Sequence, residues 1–312
     1  MMSRECHEGR EQPLNQLIKN KVCAVVVTYN RKEMLKRCIS ALVQQTSSCD
    51  VLVFDNASTD GTEQWLAKEA KSNPCIHVYR SSANIGGAGG FHTGMRLAVE
   101  GGYEWIWLMD DDCLPAPAAL EQLLITDQEL KGVYGWISSR ALWTDGSLCR
   151  MNIQRCTPYR DITDFGGRLV PSVMASFVSL FLRRETVRRY GFPLKEFFIW
   201  TDDWEYTRRI SKHLPCYVCT KSTVVHAMKQ NTVVNIASDS EERLPRYQYA
   251  YRNDVYLYRR EGIQGWLWLL AKDIYHTFRL LLVGRPKRIP IVWKGFWQGV
   301  RFRIKSEDGE HF

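Results

Sequence analysis

Residues 22–27 read Val-Cys-Ala-Val-Val-Val, an apolar run with no polar interruption, and it stops abruptly at Thr28-Tyr29-Asn30-Arg31. A run apolar at every position predicts a strand covered on both faces. A helical pattern follows from Glu33 to Gln44. Residues 51–54, Val-Leu-Val-Phe, repeat the theme and end at Asp55-Asn56. Ser58-Thr59-Asp60-Gly61 then leads into a predicted helix over Thr62 to Lys71. A third strand is predicted from Ile76 to Tyr79, a helix from about Gly90 to Glu100, and a fourth strand from Trp105 to Met109. This alternation predicts an α/β fold built on a mostly parallel sheet with helices on both faces. Ligands bind such sheets beyond the carboxyl ends of the strands. The polar clusters Thr28–Arg31, Asp55–Asn56 and Asp110–Asp112 all fall at those ends.

After Asp112 the pattern loosens. Val173 to Leu182 and Thr223-Val224-Val225 predict further strands. From Arg246 the composition turns aromatic, basic and helical, and Ser238-Asp239-Ser240-Glu241-Glu242 reads as a linker. The expected organisation is a polar segment over residues 1–20, a catalytic domain over 21–240 and a helical region over 241–312. No internal repeat is visible.

Composition narrows the class. With 312 residues, 45% hydrophobic and 24% charged, the chain is ordinary globular material rather than disordered. The net charge of +8 favours anionic partners without choosing among them. The 10 Cys show no disulfide rhythm, and Cys216 and Cys219 lack the second pair a zinc ribbon needs, so that pair reads as strand packing in a reducing compartment. Met1 to Asn20 lacks the apolar run of a secretory signal. Trp266 to Val283 is broken by Lys272, Asp273, His276 and Arg279, so it does not read as a membrane span.

Asp110-Asp111-Asp112 is the sharpest chemical feature. Adjacent carboxylates at a strand end repel one another and need a cation to stay ionised. A hard divalent ion, Mg²⁺ or Mn²⁺, meets that need and also takes substrate phosphates. The bland alternative is a helix cap before Pro115 and Pro117. Asn84-Ile85-Gly86-Gly87-Ala88-Gly89-Gly90 puts four glycines ahead of a helix, which suits backbone approach to phosphate. It fits neither the dinucleotide fingerprint nor the P-loop. Trp200-Thr201-Asp202-Asp203-Trp204 sets a second acidic pair among indoles. The pair could cap a helix or serve as a base toward a sugar hydroxyl, with the Trp faces packing on a sugar ring. His226, after Thr223-Val224-Val225, is a plausible third metal ligand beside the acids.

Taken in order, Val25–Arg31, Asp55–Thr62, Asn84–Phe91 and Asp110–Asp112 resemble glycosyltransferase family 2 over roughly residues 21–230, and are most similar to the bacterial galactofuranosyltransferases, with rhamnosyltransferases next. The resemblance implies the GT-A fold: a Rossmann-like mixed sheet that binds nucleotide-diphospho-sugars, here with a C-terminal helical extension. It implies that Thr28, Tyr29 and Asn30 border the nucleoside and that Asp55 bonds the base. Asn84, Gly86 and Gly87 would lie along the donor, with Asp110 and Asp111. Asp110, Asp112 and His226 would hold Mn²⁺ or Mg²⁺. Asp203 matches the second acid of the family's catalytic motif, where this chain has Asp202 in place of Glu. Trp200, Asp202 and Trp204 would face the acceptor.

The implied activity is inverting transfer of galactofuranose from UDP-galactofuranose to a glycan or lipid-linked acceptor in cell-envelope polysaccharide such as O-antigen. A dTDP-rhamnose donor is the alternative. Two other classes compete: a silent sugar-nucleotide or glycan-binding module, and a nucleotidyltransferase, which lacks a basic triphosphate loop here. The basic, aromatic region over 263–303 admits two readings, a packed helical subdomain or a helix at a membrane interface. The resemblance favours peripheral contact with the cytoplasmic face of the inner membrane. No nucleic-acid motif appears.

Overall fold

The structure is a computed structural model that describes residues 20–304. The polar segment expected over residues 1–20 lies outside them, apart from its last residue. The chain opens with β1 (Val22–Thr28), α1 (Lys32–Val43), β2 (Asp50–Asp55), α2 (Thr62–Ser72), β3 (Ile76–Arg80), α3 (Gly86–Glu100) and β4 (Trp105–Asp110). It continues through β5 (Cys113–Pro115), α4 (Ala119–Glu129), β6 (Ile137–Leu142), β7 (Arg155–Thr157), β8 (Arg160–Asp161), β9 (Leu169–Pro171), β10 (Leu180–Arg183), α5 (Arg184–Tyr190), α6 (Asp202–Ser211) and β11 (Tyr217–His226). Three helices follow: α7 (Leu244–Tyr258), α8 (Gly262–Leu282) and α9 (Ile289–Arg301).

The main sheet has the order β3-β2-β1-β4-β10-β6-β11-β5, with β9 beside β11. The pairs β1–β2, β2–β3 and β1–β4 are parallel, whereas β10 runs antiparallel to β4 and β6. The continuous apolar runs have the reason the pattern predicted. Val22, Ala24 and Val26 of β1 enter one core with α1 and α4, while Cys23, Val25 and Val27 enter the other with α3, α5 and α6. Both faces are covered, so neither set of alternating positions can be polar.

Two expectations change. The strand expected over Val173–Leu182 is confined to Leu180–Arg183. Residues 173–176 are instead held irregularly: Val173 N donates to the Arg155 carbonyl, and Thr207 Oγ1 bonds both N and O of Ala175. Their apolar side chains are buried without a ladder. The glycine run is also not a loop before a helix, because α3 begins at Gly86. Glycine's low helix propensity suggested otherwise, but packing decides. A Cβ on Gly90 would lie 2.6 Å from Val27 Cγ1, so the glycines let α3 sit close on β1.

No disulfide joins the nine cysteines among the described residues, and Cys216 and Cys219 are buried beside and within β11, as strand packing requires. The closing helices share cores with the body of the chain: Met174 packs with Val255, Leu257, Leu269 and Phe296. No helix among the described residues is long and apolar enough to cross a membrane.

Candidate active site

Parallel pairing brings the strand ends level. Thr28 stands opposite Asp55, and Val27 opposite Asp110. The first three strands run outward on one side of β1 and β4 begins the other side, so the polar ends converge where the strand order reverses. Thr28 is buried and its Oγ1 donates to Asp111 Oδ2 at 2.7 Å. Tyr29 is exposed. Asn30 has φ 54°, and its Oδ1 accepts from Thr59 N at 2.7 Å, which ties the ends of β1 and β2 together. Asp55 is fully buried: one oxygen accepts from Ser58 N at 2.9 Å and the other pairs with Arg80. Asn84 is exposed and its Oδ1 accepts from Gly86 N at 2.9 Å.

Sequence reasoning missed the latch on this segment. Buried Asn56 accepts from Ile85 N at 2.8 Å and donates to the Gly86 carbonyl at 2.9 Å. Gly86 has φ +79°, and a Cβ there would lie 2.0 Å from the Phe198 carbonyl oxygen. The same carbonyl accepts from Ala88 N at 3.1 Å. Gly87, by contrast, faces open space. The start of α3 is therefore seated against the loop that leads to Asp202 and Asp203.

β5 folds back so that Cys113 pairs with His226 at the end of β11, and Ala227 N donates to the Asp112 carbonyl at 2.9 Å. That pairing brings Asp110, Asp112, Cys113 and His226 together, with one potential ligand atom from each within 4.8 Å of the others. Burial, reinforced by Asp112 and Asp110, pushes the Cys113 thiol well up, so it is a poor partner for a hard cation. The remaining three are the residues the sequence singled out.

The donor chemistry here calls for a cation. His226 Nδ1 lies 2.7 Å from Asn152 Oδ1, whose amide nitrogen donates to Ser176 Oγ at 2.9 Å. This fixes the amide oxygen toward the ring and assigns the ring proton to Nδ1. Nε2 then lies 3.0 Å from Asp112 Oδ1, and that buried oxygen makes no hydrogen bond. Two acceptors facing at this distance need a proton or a metal between them. Without a metal, the proton serves. Burial alone would lower the His226 pKa, but Asp112 and Asp110 carry it to about 10. Burial likewise opposes Asp112's charge, and His226 and Arg31 overcome it, holding Asp112 at about 2. Asp110 and Asp111 are driven the other way by burial, to about 6 and about 7, with repulsion from Asp112 adding to each. Arg31, overlooked as a site residue, pairs with Asp112 at 2.7 Å and Asp111 at 3.4 Å.

The second acidic pair sits on a strained support. Phe198, Trp200 and Thr201 have φ of 65°, 66° and 67°, a region that costs L residues about 1–2 kcal/mol each. Asn253 of α7, fully buried, donates to the carbonyls of Phe197, Ile199 and Trp200 at 3.0, 3.2 and 2.8 Å. Thr201 Oγ1 donates to Asp254 at 2.8 Å, and Asp254 pairs with Lys272 of α8 at 2.5 Å. Asp202 is buried, whereas Asp203 is half-buried with Oδ1 accepting from Trp204 N at 2.7 Å. Burial raises Asp202 to about 7, with Asp110 and Glu205 adding repulsion. Burial and Asp202 raise Asp203 well above the carboxylate range, and Asp110 contributes there too. The two acidic clusters are thus one electrostatic site. The indoles are not bare walls: the Arg155 guanidinium lies 4.0 Å over Trp204, and Trp200 meets Tyr247 edge-on at 5.0 Å.

Comparison with known proteins bears on this geometry. Residues 23–140 match the family model described as glycosyl transferase family 2. The chain is 26% identical over 298 residues to galactofuranosyltransferase GlfT1 of Mycolicibacterium smegmatis, covering 86% of this chain and 97% of that one. Among solved structures it resembles GalNAc-T7 with UDP, GalNAc and Mn²⁺ (TM-score 0.56, 14% identity, 74% of this chain and 48% of that one). It also resembles mannosyltransferase PcManGT from Pyrobaculum calidifontis with GDP-Man and Mn²⁺ (TM-score 0.55, 18% identity, 91% of this chain and 76% of that one). These likenesses carry the fold.

Proposed function

We propose that the chain is a family 2 glycosyltransferase on a GT-A fold, and that it moves galactofuranose from UDP-galactofuranose to a glycan or lipid-linked acceptor of the cell envelope, with inversion. The observation that carries the reading is the facing pair His226 Nε2 and Asp112 Oδ1, at the strand ends where a nucleotide would lie. Asp110, Asp112 and His226 are the residues that would hold Mn²⁺ or Mg²⁺. A divalent ion there supplies positive charge against the diphosphate leaving group.

The chain's own residues do the rest. Thr28, Tyr29, Asn30 and Asp55 border the nucleoside side of the cleft, and Gly87 leaves backbone open toward the donor. Asp111, bonded to Thr28 and Arg31, fixes the floor between them. Asp203 is the base. It is the more accessible of the acidic pair, its Oδ1 is held by the Trp204 N–H, and its Oδ2 takes the proton of the acceptor hydroxyl. The displacement is direct, so the configuration at the anomeric carbon inverts. Burial and Asp202 raise its pKa, and a more basic carboxylate is the stronger proton acceptor once deprotonated. Asp202 stays behind it, buried, and helps raise it. Trp200 and Trp204 shape the acceptor side, and the enzyme would work at the cytoplasmic face of the inner membrane.

The test is calorimetric titration with UDP and with dTDP, each with and without Mn²⁺. Metal-dependent binding of UDP alone supports the reading. Preference for dTDP would move the donor to a dTDP-sugar such as dTDP-rhamnose, and binding of neither would remove the nucleotide-sugar site.

A further inference from the structure

α8 has two unlike faces. Gly265, Leu269, Asp273 and Leu280 point inward and are buried. Outward, Ile263, Leu267, Leu270, Ile274, Phe278 and Leu281 recur at spacings of three and four, and Ile263 is 78% exposed, Leu267 63% and Phe278 60%. Such spacing lines them up as one stripe along a helix about 30 Å long. Scattered exposed apolar side chains are ordinary, but a stripe running the length of a helix marks an interaction face.

The charges around it identify the partner. Over residues 262–304 Asp273 is the one acidic residue, and it is fully buried. The exposed ionic groups of that stretch are Arg279, Arg285, Lys287, Lys294, Arg301 and Arg303. On α9, Trp297 stands 54% exposed between Lys294 and Arg301, one turn away on either side. An apolar stripe on a pair of helices that expose cations and no carboxylate of their own, with an indole among them, matches the layering of an anionic membrane surface.

We propose that the outer face of α8, with the exposed edge of α9, docks on an anionic lipid bilayer and lies in the headgroup plane. α8 lies on the surface rather than crossing it: its inner face carries Lys272 and Asp273, and no described helix can span. A second copy fits the face poorly, since self-association would set this cationic border against itself. Through Lys272, Asp254 and Thr201 the same helix reaches the loop that leads into Asp203 at the start of α6, so docking would hold that acidic helix start near acceptors borne by lipid. The inference does not depend on which sugar is moved.

The experiment is co-sedimentation of the full chain with phosphatidylcholine vesicles, pure or one-third phosphatidylglycerol. The chain should bind the mixed vesicles and be released by salt. The triple variant Leu267→Ser, Ile274→Ser, Phe278→Ser should bind at least tenfold more weakly. Arg285→Ser with Lys287→Ser should lose roughly 25-fold, at about fivefold per cation. All five positions face solvent, so the circular-dichroism melt and metal-dependent UDP binding should not change. That separates failure here from failure of the donor site. Equal binding to both vesicle types, or no loss in the triple variant, overturns the proposal. So does a sedimenting dimer that the triple variant dissociates, which would give the face to a second copy.

Discussion

Asn253→Ala tests whether α7 holds the acidic loop in place. Asn253 is fully buried, and its amide spreads two N–H groups over three carbonyls. Phe197 keeps other donors after truncation, from Ile199 N and Arg252. The Ile199 and Trp200 carbonyls lose Asn253. At roughly 1–3 kcal/mol for each of the two deprived buried groups, the loss is about 2–6 kcal/mol. The loop it holds stores strain of comparable size, since three L residues with φ near 66° cost roughly 3–6 kcal/mol together. Once the clamp is gone, its loss is large enough for the strained conformation to give way.

Two readouts follow. The melting temperature should fall by roughly 5–15 °C, at about 2–3 °C per kcal/mol for a chain of this size. At a temperature where the variant is still folded, kcat for transfer should fall about 100-fold, because Asp203 is no longer positioned toward the acceptor hydroxyl. Donor KM should change little, since the Asn56 latch and the strand ends are untouched. A variant with the lowered melting temperature but with kcat within threefold of the parent would show that Asn253 is only structural, and the positioning argument would fail.

Asp203→Asn should cut transfer by roughly 10²–10⁴-fold while leaving Mn²⁺-dependent UDP binding in place; undiminished turnover removes Asp203 as the base. Asn152→Leu frees His226 Nδ1 from its acceptor and should weaken metal affinity by about 10–100-fold, read by calorimetry, with equal affinity counting against the tautomer assignment. The acidic limb of the kcat/KM profile should rise with pH, because the base works only when deprotonated, and burial plus Asp202 raise its pKa. Its midpoint should therefore lie well above the ordinary carboxylate value of about 4, and a midpoint near 4 would contradict the burial argument. Gly86→Ala forces a Cβ onto the Phe198 carbonyl at positive φ and should cost about 2–4 kcal/mol in a urea melt; a neutral result would mean that the loop and α3 separate easily.

The strand ends could be read from the sequence because burial on both faces leaves no polar position along β1, β4 or, after Asp50, β2 until the sheet stops. The first polar residue therefore marks the ligand edge. His226 was visible as the residue that ends the run Thr223-Val224-Val225, although its pairing with Asp112 depends on β5 turning back along β11, which no local pattern announces. The partners of Arg31, Asn56, Asn253 and Lys272 were not legible. Each acts on atoms far along the chain, and a lone Arg, Asn or Lys has no periodicity to betray a tertiary partner. The loop from Phe198 to Thr201 was hidden more deeply. Its left-handed positions carry Phe, Trp and Thr where propensity would place glycine, and the compensation comes from a helix some 50 residues later. The glycines of α3 misled in the opposite sense, since residues that disfavour helices serve here to bring a helix close to β1.

The charge inventory of the site limits how a nucleotide diphosphate could enter. Asp110, Asp111, Asp112, Asp202 and Asp203 lie in one electrostatic cluster, where Asp110 raises both Asp202 and Asp203. Arg31 answers Asp111 and Asp112 directly, and His226 adds positive charge only while doubly protonated. A diphosphate brings further negative charge to a region where burial already drives Asp110 and Asp111 toward their neutral forms. One guanidinium and one imidazolium, both already paired with Asp111 and Asp112, leave little positive charge to offset it. An added cation would therefore favour nucleotide binding at these strand ends, and Asp110, Asp112 and His226 are the residues that would hold it. Nucleotide affinity that did not depend on a divalent ion would thus be evidence that the ligand lies away from Asp110–Asp112, whatever sugar it carries.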